Sequence, residues 1–380
     1  MRTIGVDEIN DIALGASLLG AGGGGDPYIG RLMAMQAVKE CGPVTLIEPD
    51  EVPDDAFIAP CAMMGAPTVM TEKGGGKDDF DRLFDLVEQY SGKKIYATMP
   101  MEAGGVNSML PIAAAARRGI PLVDADGMGR AFPELQMVTF TIGGASATPL
   151  AYSDEKGNAG VMNNVSNKWT EDIARSITNI VGGQLMICLY TMSAKMCRDW
   201  GVSGIVTKSE QLGKAIRSIK EGLIDTTTEQ RFLELTGGCR LFSGKVIDVL
   251  RETRGAFNFG KVVLEGIGSD KQHEAYVEYQ NENLQCVVDG ETLATAPDLI
   301  CLVDHDTYIP VPNEAVKYGK RVLVVGLPCA PQWRSEAGLE LVGPRYFGID
   351  TEYIPVEERS KRPDSICKRN ACVRAGCLRL

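Results

Sequence analysis

Histidine is nearly absent: His273 and His305 are the only two among 380 residues. A three-histidine metal site within one chain is therefore excluded, and a histidine general base could only be one of these two. No apolar run is long enough to span a bilayer, and the N-terminus lacks the basic-then-apolar pattern of a secretory signal. An excess of positive charge is missing too, since 39 Lys and Arg face 50 Asp and Glu for a net charge of -11. That balance argues against nucleic acid and anionic membrane surfaces as partners. There is no Ser/His/Asp order, no G-x-S-x-G elbow, no H-E-x-x-H and no P-loop. A cytoplasmic protein is expected, its eleven cysteines reduced. Cys41, Cys61, Cys188, Cys239, Cys286, Cys301 and Cys329 stand in mostly apolar surroundings and read as small buried hydrophobes.

What is present is the composition of a globular protein long enough for two domains. Val6 to Leu19 has a helical apolar period with Asp7 placed to cap it, and Asp26-Pro27 opens a second helix from Tyr28 to about Cys41. Val44 to Glu48 and Ala56 to Cys61 read as strands, and Asp78 to Tyr90 as a helix. Lys94 to Met99 follows as a strand, Ser108 to Arg118 as a helix, and Leu122 to Asp124 as a strand. This alternation predicts an α/β domain over 1–165, built on a parallel or mixed sheet. Thr170 to Ile187, Lys208 to Leu223 and Thr228 to Thr236 read as helices, giving a helical connecting segment over 166–238. Short apolar runs between polar turns then predict a β-rich, barrel- or sandwich-like domain over 239–356. The last stretch, 357–380, is a basic tail with Cys367, Cys372 and Cys377, three thiols short of a structural zinc set.

The chemistry concentrates where strands run out. Asp124-Ala125-Asp126-Gly127-Met128-Gly129-Arg130-Ala131-Phe132-Pro133-Glu134 puts three carboxylates and a guanidinium into eleven residues broken by glycine and proline. Buried charge is costly unless paired or used, so this is either a site or a solvated Asp–Arg loop. Glu102 follows the preceding strand, and Asn107 or Ser108 is placed to cap the helix after it. Two strand ends that deliver acids and glycines to one sheet edge suit a site there. Gly65-Ala66-Pro67-Thr68-Val69, with Glu72 and Lys73 beyond it, follows a third strand end. Gly20 to Gly25 matches G-x-G-x-x-G by letter, but a helix precedes it where a dinucleotide fingerprint needs a strand, so no nucleotide is expected. Gly22, Gly23 and Gly24 could still present backbone N–H groups to an anion or polarised oxygen. Asp304-His305-Asp306 is either a metal-competent histidine or an exposed turn.

Gly22-Gly23-Gly24-Gly25-Asp26-Pro27-Tyr28, Gly65 to Val69, Glu102 to Ser108 and Asp124 to Glu134 stand here in the order of one family. The chain resembles the S-methyl thiohydantoin desulfurase-like proteins over most of 7–165. The likeness continues more loosely through Pro297-Asp298-Leu299-Ile300 and Gly343-Pro344-Arg345-Tyr346-Phe347-Gly348. The cysteine-bearing tail departs from the family pattern, as does Asp304-His305-Asp306-Thr307-Tyr308, where members often carry an acidic-Thr-Gly turn. The resemblance implies an N-terminal α/β domain, a C-terminal β domain, and a hydrolase that replaces sulfur on a thiohydantoin-type ring by oxygen. It also implies a link to hydantoinase/oxoprolinase-type partners, which leaves a non-catalytic binding or assembly subunit as the alternative. Within that frame Asp124 or Asp126 is expected as base with Glu102 completing an acid/base pair. Arg130 and Glu134, with Asn107 and the glycines, are expected at the substrate. A divalent metal such as zinc, on Asp124, Asp126 and either His305 or a cysteine, is a further expectation, as is a homo-oligomer.

Overall fold

The computed structural model describes residues 1–65, 69, 73, 79–222, 228–254 and 257–359. The Ala66 to Thr68 turn, Glu72 and the tail cysteines Cys367, Cys372 and Cys377 lie outside the described residues.

The chain divides into two compact units. The first comprises Met1–Gly20 and Gly24–Gly213, and the second Ala21–Gly23 and the chain from Lys214 onward.

The first unit is α/β with a mixed sheet. Strand β1 (Arg2–Ile4) pairs antiparallel with β2 (Val44–Ile47), and β2 pairs parallel with β5 (Leu122–Val123). The extended 97–100 segment lies parallel to β5 through Thr98 and Leu122. On its other side it runs parallel to β3 (Phe57–Ile58) and to the start of β4 (Cys61–Gly65). Three parallel neighbours thus end in the same direction, and their loops follow from one edge. β4 carries the sheet on through β9 (Gln184–Cys188), β7 (Leu150–Ser153) and β8 (Ala159–Met162), all antiparallel.

The helices follow local chemistry closely. Asp26 accepts the Tyr28 N–H at 2.8 Å and so caps Pro27–Cys41, with proline at the first position. Leu110–Arg118 is a run of alanines ended by Gly119 at φ +66°, a left-handed turn that costs glycine little. Two expectations change. Val6–Leu19 starts from Gly5, whose N–H is taken by Glu8, so Asp7 is not the cap. The helix expected over Thr170 to Ile187 stops at Ile180, and Gly182 and Gly183 turn the chain, at φ +100° and +88°, into β9. The segment 166–238 therefore supplies an inner strand of the first unit's sheet as well as helices.

In the second unit, seven strands form one antiparallel sheet ordered β16-β15-β14-β13-β12-β18-β17. They are β12 (Cys239–Arg254), β13 (Phe257–Gly266), β14 (Glu274–Gln280), β15 (Glu282–Val288), β16 (Glu291–Thr295), β17 (Leu299–Asp304) and β18 (Arg321–Leu327). The sheet curls into a half-barrel that brings β15 and β16 toward β17. Its concave face is filled by alternating apolar residues, among them Phe242, Val246, Val262, Leu264, Val277, Ile300 and Val324. Of the described cysteines, Cys61, Cys188, Cys197, Cys286, Cys301 and Cys329 are buried thiols, while Cys41 is exposed and Cys239 half-buried. Among the described residues no helix is long and apolar enough to cross a membrane.

Candidate functional site

The loops after 97–100 and after β5 lie side by side in the first unit. Gly127 N–H donates to the Met101 carbonyl at 3.0 Å, and Ala103 N–H to the Arg130 carbonyl at 3.0 Å. Between these ties the chain places Glu102, and on the facing loop Asp126 and Arg130, all buried. Asn107 bridges to a third strand. Its Nδ2 donates to Glu102 Oε1 at 2.7 Å and to the Met63 carbonyl at 3.1 Å, while its Oδ1 accepts the Met63 N–H at 2.8 Å. Asn107 is thus a clamp joining Glu102 to β4 and not a helix cap. Ser108 is not one either, since its hydroxyl accepts the Gly104 N–H.

Burial pushes the Glu102 carboxyl up to about 7, against the opposing pull of Asn107, the Phe132 N–H, Arg130 and Arg175. The Asp126 carboxyl is held well above its ordinary range, first by burial and further by the charge of Glu102. Bonds to Oδ1 from Gly129 N–H at 2.8 Å and Met128 N–H at 3.2 Å, and the charge of Lys208, oppose that rise without cancelling it. Asp126 Oδ2 is buried with no hydrogen-bond partner among the described residues. Unpartnered buried oxygens are rare and mark either strain or a ligand's place. Arg130 is buried, its guanidinium 4.3 Å from the centre of the Phe132 ring and its Nε donating to the Ala131 carbonyl.

Other candidates take different places. Asp124 caps the Ile205–Lys220 helix: its Oδ1 accepts Val206 N–H at 2.8 Å and Thr207 N–H at 3.2 Å, and its Oδ2 accepts the Thr207 hydroxyl. Both oxygens are committed to a helix N-terminus, where a carboxylate is favoured. Glu134 takes the Gln136 amide and lies 3.5 Å from Lys168 Nζ, so it is engaged by its own neighbours.

The glycines are close-packed against the chain and do not form an open cradle. A Cβ on Gly24 would lie 2.6 Å from the Gly104 Cα, and one on Gly105 only 2.2 Å from the Gly25 carbonyl oxygen. In the second unit, Gly22 would meet the Asn283 and Asn313 side chains, and Gly23 the Glu282 carboxylate. Gly105→Ala should cost about 1–3 kcal/mol through this backbone collision, read as a fall in the urea unfolding midpoint at unchanged slope.

The proposed metal set Asp124, Asp126 and His305 is not assembled. Asp124 is spent on the helix, and His305 sits in a turn of the second unit with its Nδ1 3.2 Å from Asp306 Oδ1. That turn is built by Asp304, which accepts the Thr307 N–H and hydroxyl and pairs with Lys320. Among the described residues no group of three or more His, Cys, Asp and Glu could hold a metal ion.

Residues without a sequence signal support the site. Glu171 and Arg175, on the Asn167–Ile180 helix, pair at 2.6 Å. Glu171 Oε2 accepts the Leu135 N–H, and Arg175 donates to the Pro133 carbonyl, which pins the far end of the Asp124 to Glu134 loop. Tyr190, at φ +48° and buried, meets the Thr141 hydroxyl at 2.7 Å.

Comparison with known proteins agrees with this architecture. Residues 7–164 match the N-terminal domain of S-Me-THD-like proteins, and residues 165–356 match their C-terminal domain. A crystal structure of a protein from Chromobacterium violaceum is similar, with a TM-score of 0.78 at 23% identity over 94% of this chain and 100% of that one. That likeness shows the shared fold. No curated protein matches the chain. With both domains matched in order, the chain belongs to the S-Me-THD-like family, the S-methyl thiohydantoin desulfurase-like proteins that its motifs resemble.

Proposed function

We propose that the chain hydrolyses a carbon–sulfur bond of a thiohydantoin-type ring, leaving the hydantoin. The observation that carries this reading is the buried carboxyl pair Glu102 and Asp126, both with raised pKa, in a member of this family. Two close carboxyls that hold their protons differently supply a base and an acid. Glu102, part ionised near neutrality, takes a proton from the water that attacks the sulfur-bearing carbon. Asp126, whose burial favours the protonated form, gives its proton to the sulfur. As the carbon–sulfur bond breaks, the hydroxyl proton returns to Asp126, and the proton on Glu102 goes to the departing sulfide of a thione or to the ring nitrogen of an S-alkylated ring. The product is sulfide from a thione, or a thiol from an S-alkylated ring, with a ring carbonyl in place of the sulfur. Asn107 fixes the direction of Glu102, and the buried positive charge of Arg130 favours its ionised form.

The test is release of sulfide from a thiohydantoin, or of methanethiol from its S-methyl derivative, by the purified chain alone. Glu102→Gln and Asp126→Asn should each lower kcat by roughly a hundredfold or more. The rate of the native protein should rise with pH through about 7 as Glu102 ionises, and Glu102→Gln should lose that limb. Full turnover by both variants would overturn the assignment. Release that needs an added hydantoinase- or oxoprolinase-type protein would place this chain as a supporting subunit.

A further inference from the structure

The Asn167–Ile180 helix is amphipathic in the unusual sense: it turns its polar side inward. Thr170, Glu171, Ala174, Arg175 and Thr178 are buried, whereas Trp169 is 57% exposed, Ile173 37% and Ile180 84%. Val165, just ahead of the helix, is 91% exposed. On a helical net Trp169, Ile173, Ile177 and Ile180 line one stripe, with Ser176 at its edge. The charges at its border, Lys168 and Asp172, already pair with each other at 2.6 Å.

We infer that this stripe is the contact face for a second copy of the chain. Fully exposed side chains of these types present roughly 100–250 Å² each, so the four exposed residues leave on the order of 400 Å² of apolar surface per chain. Two copies bring together roughly 800 Å² from these side chains alone. Ser166, Ser176, Ile177 and the aliphatic parts of the Lys168 rim carry the total past the roughly 1,000 Å² that a specific interface needs. The pattern is also self-complementary. In an antiparallel pair about a two-fold axis at Ile173, Ile173 meets itself, Trp169 lies level with Ile177, and Ser166 lies level with Ile180. No charge falls within the stripe, so no ion is buried unpaired when the copies close. A two-fold axis requires such a self-matching patch. The buried side of the same helix holds the Pro133 and Leu135 backbone, so pairing would also brace the loop that carries Asp126.

Sedimentation velocity on the full chain tests this. The native protein should sediment as a dimer at tens of micromolar. Trp169→Glu and Ile180→Lys should each raise the dimer dissociation constant at least a hundredfold, with far-ultraviolet circular dichroism unchanged because these side chains lie outside the core. Tyr318→Ser, which removes an exposed aromatic in the second unit, should leave the dimer intact. A native chain that stays monomeric at tens of micromolar, or folded stripe variants that dimerise as tightly as the native chain, would overturn the proposal.

Discussion

Between pH 4.5 and pH 8 the native protein should lose about 3 kcal/mol of stability that its Glu102→Gln variant keeps. Glu102 is buried, and burial raises its carboxyl from 4.5 to about 7 in the folded chain. The folded state therefore binds the Glu102 proton more tightly than the unfolded state. Its favourable contribution is fully present below about pH 4.5 and is lost as pH rises through about 7. An elevation of that size, at 1.36 kcal/mol for each pH unit, gives the figure above. Glutamine carries no proton to lose, and its amide oxygen can still accept from Asn107. Urea unfolding of both proteins at several pH values reads the difference directly. Two curves that stay parallel across this range would show that Glu102 titrates as an ordinary surface acid.

Asp124→Ala should destabilise the fold by about 3–5 kcal/mol, with an unfolding midpoint far below that of a typical surface variant. The side chain is fully buried and receives two backbone N–H groups and one hydroxyl at the start of the Ile205–Lys220 helix. Alanine leaves those donors in the interior without an acceptor, removes a charge that complements the helix N-terminus, and opens a small void. Asp124→Asn, which keeps one acceptor oxygen, should recover part of the loss. If the alanine variant unfolds at the native midpoint, water reaches the helix end and the cap is dispensable.

The α/β alternation was legible in the sequence because period and punctuation agree there. Asp26-Pro27 opens a helix and Gly119 closes one, and each signal acts within a single turn of chain. Most strands of the half-barrel were legible for the same reason, since their apolar residues alternate between polar turns. Two readings missed because the deciding contact is remote. Asp124 looked like chemistry from its neighbours, yet its partners are Val206 and Thr207, some eighty residues on. The helix expected to run to Ile187 ends at Ile180, because the chain from Gln184 to Cys188 pairs instead with β4, more than a hundred residues earlier, and with β7. The glycine run misled differently, because a glycine that admits a ligand and one that admits another backbone are the same letter. Only the facing Gly104 and Gly105 separate the two.

The short excursion of Ala21–Gly23 bears on how the chain can be divided. These three residues group with the second unit, where the Ala21 and Gly22 carbonyls accept the Asn283 and Asn313 N–H groups at 2.8 Å. The half-barrel is therefore assembled from two stretches of chain almost two hundred residues apart. A fragment cut at the family boundary near residue 165, or at Lys214, would carry every strand of that sheet and still lack two of its hydrogen-bond acceptors. The two family domains are inherited side by side, but the second is completed by a thread drawn from within the first.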